Sequence, residues 1–481
     1  MDALTYQTIK ANLVGGSNPN RTRSISQERT LNMYPEPVPS GAYPSVLLPW
    51  PGSKTFSDGT GSGDPRGIYT HNRTGVVYKV VGTSLYSTGS DGVETSIGTI
   101  SGSGLVLFES VEDSVGDIAS KLLITSDTNG YVYNIDTNTL TTVTDGSYSP
   151  GGSVVSINTF VIWQLLEDNY AVADVGNPES IQGENVSTVP SFADDLVQIY
   201  RFRETIYMMG ARSIEPYYDG GAGTNPLVAV QSGTSPVGLI SRGCVCSNEN
   251  LMYWVGNDKI LYRTNAYEPQ SVTTPSVANK LKDYDFTGAR VRCIKQDGQN
   301  FVMILTSSAS WVYSEATNFW FELAYKAGEE IYLGYDYTYA YGKHLIQSKV
   351  DGKVLELDDD TFTDNGQTTI RERITAPINA SALGKEGGRM MMKRAEIIME
   401  TGIGNLTEED PVVMVSVSVD GGQTFTNEQW VSAGRDGENR IRVEYYAMLS
   451  FRQIQFKLRT SSANFFTFHS LAIDLKMGGE F

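Results

Sequence analysis

Short runs of apolar residues broken by polar turns fill most of the chain, and one pattern among them recurs. A β-like run carries a Leu/Val-Tyr pair beside a Gly or Asn turn. It appears as Val80 to Tyr86, as Asn129-Gly130-Tyr131-Val132-Tyr133, and in looser form near Tyr170 to Val175 and Ile206 to Tyr217. It returns as Gly256 to Tyr262, Ser310-Trp311-Val312-Tyr313 and Asp351 to Leu357. The interval is roughly 40–50 residues, the length of one propeller blade. A four-stranded sheet of that size buries both faces only by stacking on copies of itself around an axis. The pattern therefore predicts an all-β chain whose residues 61–365 form a β-propeller of six or seven blades, the tally leaning to seven. After about residue 365 the runs lengthen and polar and apolar residues alternate, as in Lys393 to Glu400 and most clearly in Arg452 to Arg459. Such alternation suits a sheet with one wet face, and residues 366–481 read as a C-terminal β-sandwich-like domain.

Residues 1–60 have neither pattern. They hold Pro19, Pro35, Pro37, Pro39, Pro44, Pro49 and Pro51, interleaved with Leu31, Met33, Tyr34, Leu47, Leu48 and Trp50. Proline removes backbone donors and favours extended chain, yet the segment is too apolar for a free linker. It reads as an extended N-terminal docking arm, lying on another surface or on the outside of its own domain. Met33, Tyr34, Pro35 and Trp50 are its expected contacts with a partner, and its removal is expected to disturb docking rather than unfold the propeller. A second expected interface is the alternating run Tyr335, Tyr337, Tyr339, because tyrosine is favoured where one end of the side chain stays wet.

The chain has 481 residues, 48 of them Gly and 27 Tyr, and a formal net charge of −18. Gripping nucleic acid requires clustered Lys and Arg, so this balance argues against a DNA-wrapping protein while allowing one that lets DNA slide past. The segment Asp113 to Ser120 would make about two helical turns; little else reads as helix. The N-terminus lacks the basic start and apolar stretch of a secretory signal, and no run reaches the ~18 apolar residues of a membrane span. Cys244, Cys246 and Cys293 read as reduced sheet residues, in keeping with folding in a cytoplasm.

Candidate chemistry is sparse. Ser418, Asp420, Gly421, Gly422 and Thr424 match the Asp-box turn of sialidase-type propellers, a structural hairpin rather than a catalytic site. A sialidase also needs an arginine cluster, and nothing in the spacing of Arg201, Arg203, Arg212, Arg242 and Arg263 selects one. His71, His344 and His469 stand alone, without metal-ligand spacing. Asp358-Asp359-Asp360 reads as a solvated turn, and Gly220 to Thr224 and Gly59 to Gly63 lack the lysine of a phosphate loop. The expectation is no catalytic set, no cofactor and no metal.

The order of several stretches carries a family resemblance. Arg29-Thr30-Leu31-Asn32-Met33-Tyr34-Pro35-Glu36-Pro37, then Pro49-Trp50-Pro51-Gly52, Pro65 to Tyr69, Val77 to Tyr86 and, near the other end, Ser416 to Phe425 resemble the tail hub, or nozzle, of short-tailed phages, the packaged DNA stabilization proteins. The resemblance implies a homo-hexameric ring below the portal and its adaptor ring. Such a ring would extend the DNA channel without sequence-specific binding, help retain packaged DNA, and anchor tail needle and tailspike or fibre proteins. It also implies a virion component made and assembled in the host cytoplasm. The alternative class is a carbohydrate-binding or sialidase-like propeller, a monomer or small oligomer with a closed polar pocket.

Overall fold

The computed structural model describes residues 5–477 apart from 23–25, 60, 112–119, 190–193, 222–224, 329 and 386. All but Ser120 of the helical stretch expected at 113–120, and parts of both Gly-rich loops, lie outside the described residues.

Among the described residues, seven four-stranded antiparallel blades follow one another around an axis, five as separate sheets and two as parts of larger ones. Their inner strands are Pro65–Thr70, Leu107–Ser110, Val154–Ile157, Leu196–Phe202, Val245–Ser247, Arg290–Gln296 and Gly334–Ala340, and we number blades one to seven in that order. Every recurrence of the Tyr-bearing pattern falls on the second and third strands of a blade. In blade one, Val77–Val81 and Ser84–Thr88 form the hairpin, with Val80 opposite Leu85. These middle strands are buried on both faces (all of Val77–Val81 and Lys121–Thr125). They read as continuous apolar runs because blades stack face to face.

The apolar cores lie in the seams between blades. Tyr78, Val80 and Leu85 of blade one pack on Leu122, Ile124 and Tyr131 of blade two. Val132 of blade two meets Val154 and Trp163 of blade three. Ile68 and Val77 of blade one meet Leu345 and Val354 of blade seven. The closure of the ring is thus an apolar seam like the others, and the burial of each large side chain in it contributes roughly 1.5–3 kcal/mol.

The fourth strand of blade seven comes from the other end of the chain. Gly52–Ser57 pairs antiparallel with Val354–Asp358, so residues before blade one close the last blade. The N-terminal segment continues in this way throughout. Gln7–Asn12 adds to Phe468–Met477. Gln27–Leu31 lies between the outer strand of blade six, Trp320–Tyr325, and Arg371–Ile374. Met33–Pro37 pairs with Ser45–Pro49, which touches Phe468 through Leu47. Among these strands proline occurs only in Met33–Pro37, at the edge of its sheet, and at the end of Ser45–Pro49, places where a missing donor is tolerated. The segment is therefore woven into its own chain. Met33, Tyr34, Pro35 and Trp50 are buried, and their expected role as a partner face gives way to an interior one. Tyr34 and Trp50 sit with Phe301 and Phe321 (Trp50 is 5.5 Å from each phenyl ring) in the seam between blades six and seven. Removing residues 1–60 would strip a strand from blade seven and aromatic side chains from its core, so the expectation that only docking would suffer is corrected.

The C-terminal residues form two packed sheets. One is built on Met390–Met399, Val443–Phe451 and Phe468–Met477; the other on Arg371–Ile374, Gln453–Thr460, Val412–Ser418 and Gln429–Ser432. Their facing sides supply a single core that includes Met392, Ile397, Val415, Phe456 and Ile473, joined by Leu13 and Met33 from the N-terminal segment. Because Gln27–Leu31 bridges the two units, blade six and the second sandwich sheet form one continuous twelve-stranded sheet. A helix missed by the sequence pattern, Pro275–Leu281, follows blade five; Thr274 caps it by accepting from the Val277 N–H, and Pro275 opens it, both favourable at a helix start.

Candidate functional site at the propeller axis

Inner strands meet at the axis, so their side chains alone decide whether the centre is open. At one end it is shut by arginines. Arg292 donates to Asp336 from Nε (2.7 Å) and Nη2 (3.2 Å), a two-pronged pair between blades six and seven. Arg290 Nε lies 3.4 Å from the same carboxylate, and the Ile68 and Tyr337 N–H groups also donate to it. Burial acts to raise the Asp336 pKa, but Arg290 and Arg292 together hold it below the usual carboxylate range. Arg290 Nη2 donates to the carbonyls of Arg66 (2.6 Å) and Val106 (3.3 Å), joining blades one and two. Arg66 itself donates to the carbonyls of Gly82, Ile100, Ser101 and Gly104. Arg242 lies against Gly152, whose φ of +97° and lack of a Cβ leave room for the guanidinium. Arg66, Arg290 and Arg292 are matched to carbonyls and a carboxylate of several blades, which is how buried charge is tolerated. They tie blades together.

Beyond this lock the axis widens into a cavity of about 510 Å³ lined by residues of all seven inner strands, among them Tyr69, Glu109, Tyr200, Arg201, Cys246, Cys293 and Tyr337. A neighbouring hollow of about 460 Å³ shares Ser247, Cys293, Tyr337 and Tyr339 with it and reaches Lys295 and His344. Glu109 accepts from the Ser156 N–H and hydroxyl. Arg201 donates to the carbonyls of Ser156 and Arg203. Tyr200 and Ser247 share a 2.9 Å hydrogen bond.

The tyrosines expected as an interface divide here. Tyr335 stacks under Arg290, with 5.2 Å from guanidinium to ring. Tyr337 is half-buried and bonds His344 Nδ1 at 2.8 Å; burial pushes its hydroxyl well above the usual phenol range. Tyr339 is 54% exposed at the cavity mouth. Of the three, Tyr335 and Tyr337 are partly buried and Tyr339 is exposed. Large apolar side chains do reach the surface elsewhere, with Tyr446 and Met448 two residues apart on one face of Val443–Phe451 and Trp430 on the strand Gln429–Ser432.

The other sequence candidates have local roles. His71 Nδ1 meets the Thr74 N–H and hydroxyl, and His469 Nε2 meets Thr467. Of the five arginines weighed for a sialidase, Arg201 and Arg203 share the axial cavity, whereas Arg263 lines a separate hollow with Glu268 and Gln270. Asp420 accepts from the Gln423 and Thr424 N–H groups and from the hydroxyls of Ser418 and Thr424, bonds that lower its pKa to about 2; the Asp box is a self-contained turn of the sandwich. Asp358 pairs with Lys54 at 2.9 Å, and Asp359 accepts from Gln296. No group of three or more metal-ligating side chains comes together among the described residues.

Two features of the axis escaped the sequence reading. The Arg290–Asp336–Arg292 cluster joins residues 44 apart, and Cys246 faces Cys293 across 47 residues. Both separations equal one blade, so a search for polar or thiol residues recurring at blade spacing on inner strands would have found them.

Two family models match the chain in succession. Residues 9–362 match the model described as Bacteriophage P22 Gp10, beta-propeller, and residues 378–476 the one described as Bacteriophage P22 Gp10, beta-sandwich. No curated protein matches the chain. Among solved structures, the extracellular domain of a hybrid two-component system from B. thetaiotaomicron is similar over 72% of the chain (TM-score 0.44, 9% identity), and the chain spans only 44% of that protein's length. A chain of the mitotic checkpoint complex is similar over 63% of the chain and 92% of its own (TM-score 0.40, 12% identity). The Cps50 (Swd1) β-propeller domain of Myceliophteria thermophila is similar over 64% of the chain and 99% of its own (TM-score 0.43, 9% identity).

Proposed function

The chain belongs to the bacteriophage P22 Gp10 family, structural proteins of the phage tail, and on that premise we propose that it is the tail hub, or nozzle, of a short-tailed phage. Six copies form a ring below the portal adaptor ring. The ring extends the DNA channel, retains packaged DNA and anchors the needle and tailspike or fibre proteins. The observation that carries this reading is the succession of both family models, propeller then sandwich, over nearly the whole chain.

The axis of the propeller adds a constraint. Its cavity of about 510 Å³ is in the range of small-molecule pockets, and arginines pinned by Asp336 shut one end. A duplex whose major groove alone is about 12 Å wide does not thread such a centre. DNA passes along the axis of the ring, between subunits, and the net charge of −18 favours a wall that phosphate slides past.

The test is the mass of the purified protein in solution, measured by light scattering with and without the adaptor-ring protein. A ring, free or formed on the adaptor, is the expected result. A stable monomer that ignores adaptor and tail components overturns the hub reading.

A further inference from the structure

Cys246 belongs to the inner strand of blade five and Cys293 to the inner strand of blade six. Their sulfurs are 2.7 Å apart, and both are free thiols. A disulfide spans about 2.05 Å between sulfurs, so the pair stands less than an ångström from bonding distance on two strands already packed against each other. Cys244 is not a competitor. It is fully buried outside the cavity, its sulfur beside the Ser241 hydroxyl and the Ala289 carbonyl.

The pair is also reachable. Both sulfur-bearing residues line the axial cavity, and Cys293, which is half-buried, lines the neighbouring hollow as well. We propose that Cys246 and Cys293 form a redox-closable staple that links blades five and six covalently when the protein meets a small-molecule disulfide. The chemistry is two thiol–disulfide exchanges. The Cys293 thiolate attacks oxidised glutathione, forming a mixed disulfide and releasing one glutathione thiolate, which takes up the proton Cys293 lost. Cys246, deprotonated in turn, attacks the Cys293 sulfur and expels the second glutathione. Two protein thiols are oxidised to one disulfide, and one glutathione disulfide is reduced to two thiols.

Burial, and then the neighbouring Cys246, push the Cys293 thiol well above its usual range, which keeps the first exchange slow. Once the mixed disulfide exists, closure is intramolecular between groups already in contact and therefore fast. A reducing cytoplasm leaves such a pair open, whereas an oxidising exterior closes it. That timing rests on the tail reading above; the bond itself does not.

The experiment takes the full chain purified under reducing conditions and incubates it, folded, with oxidised glutathione. Free thiols are then counted after denaturation, and peptides are mapped by mass spectrometry. The expected result is a fall from the chain's three thiols to one, with a Cys246–Cys293 cross-linked peptide. Cys246→Ser should instead stop at a glutathione adduct on Cys293, and Cys244→Ser should cross-link as the native chain does. Should Cys246→Ser fail to fold, Cys246→Ala serves for the same adduct. Three thiols persisting in the folded native chain, or a cross-link through Cys244, overturns the proposal. A protein that assembles into rings yet keeps three thiols refutes the staple alone, and one that cross-links yet stays monomeric refutes the hub alone.

Discussion

Asn32 is the residue at which the N-terminal segment, the propeller and the sandwich meet, and its replacement tests whether that segment is structural. Its Nδ2 donates to the carbonyls of Ala324 (3.0 Å) and Ile370 (2.8 Å), and its Oδ1 accepts from the Ala324 N–H (2.9 Å). Ala324 belongs to blade six and Ile370 leads into the sandwich. All three bonds are buried, and the backbone of Asn32 is left-handed, with φ +53°. A buried hydrogen bond contributes about 1 kcal/mol net, and more when its partner is left unsatisfied. Asn32→Ala leaves three backbone groups without partners, about 3 kcal/mol. It also places a Cβ-bearing residue with no polar compensation in left-handed backbone, about 1 kcal/mol more. Asn32→Gly loses the same bonds but not the backbone term. The expected losses in urea unfolding are therefore about 4 kcal/mol for alanine and about 3 for glycine. Hydrogen exchange at the Ala324 N–H should rise in both variants. An alanine variant within about 0.5 kcal/mol of the parent, the range of an ordinary surface change, would falsify the claim that this segment locks the two units together.

Two further predictions concern buried charge. Burial raises the Asp364 pKa to about 6, against weaker lowering by the Ser53 hydroxyl and Arg371. The folded chain therefore holds this proton more tightly than the unfolded one, so its contribution to stability is full below about pH 4 and is lost as pH rises through 6. The parent should lose up to about 3 kcal/mol more than Asp364→Asn between pH 4 and 7; an offset between the two that is constant across that range in denaturation curves refutes the assignment. Lys79 Nζ lies 2.6 Å from Glu94 with both side chains almost wholly buried, and it also donates to the Gly352 carbonyl across the closing seam. Lys79→Met alone should cost about 3–5 kcal/mol by removing the cation beside the buried Glu94, while the double variant Lys79→Met/Glu94→Gln recovers most of it; equal losses in single and double variants, read from urea midpoints, would show that the two charges are not coupled.

The propeller was legible because its signal repeats. The Leu85-Tyr86, Val132-Tyr133, Leu261-Tyr262 and Val312-Tyr313 pairs sit at the same place in their blades, on strands whose pairing is local. The sandwich was legible for a different reason: a strand such as Gln453–Thr460 alternates buried and partly exposed residues along much of its length. The inner strands carry no such signal, and Val245–Ser247 is only three residues long. The closing strand was hidden because Gly52–Ser57 pairs with a strand some 300 residues away. Non-local pairing leaves no periodicity in the sequence. Tyr34 and Trp50 were misplaced because proline around them suggested an exposed, extended chain. Extended it is, but as sheet-end strands folded against the chain's own core. Helix Pro275–Leu281 was announced by Thr274-Pro275, a cap signal overlooked in a chain otherwise dominated by strands.

The weave of the first sixty residues has a mechanical consequence. A propeller closed by its own last blade can separate from a neighbouring domain by swinging about a linker. Here the segment that completes blade seven, Gly52–Ser57, is continuous with Ser45–Pro49 and Met33–Pro37 on the first sandwich sheet. Gln27–Leu31, just before them, is hydrogen-bonded to both blade six and the second sandwich sheet. Arg373 of that sheet donates to the carbonyls of Leu13 and Gly16, to the Thr30 hydroxyl and to Glu28, fixing the segment from the far side. Pulling the sandwich away from the propeller would therefore shear these ladders together and open blade seven in the same event. A subunit built this way passes strain between its two units instead of absorbing it in a hinge. That rigidity suits a structural component of a phage tail.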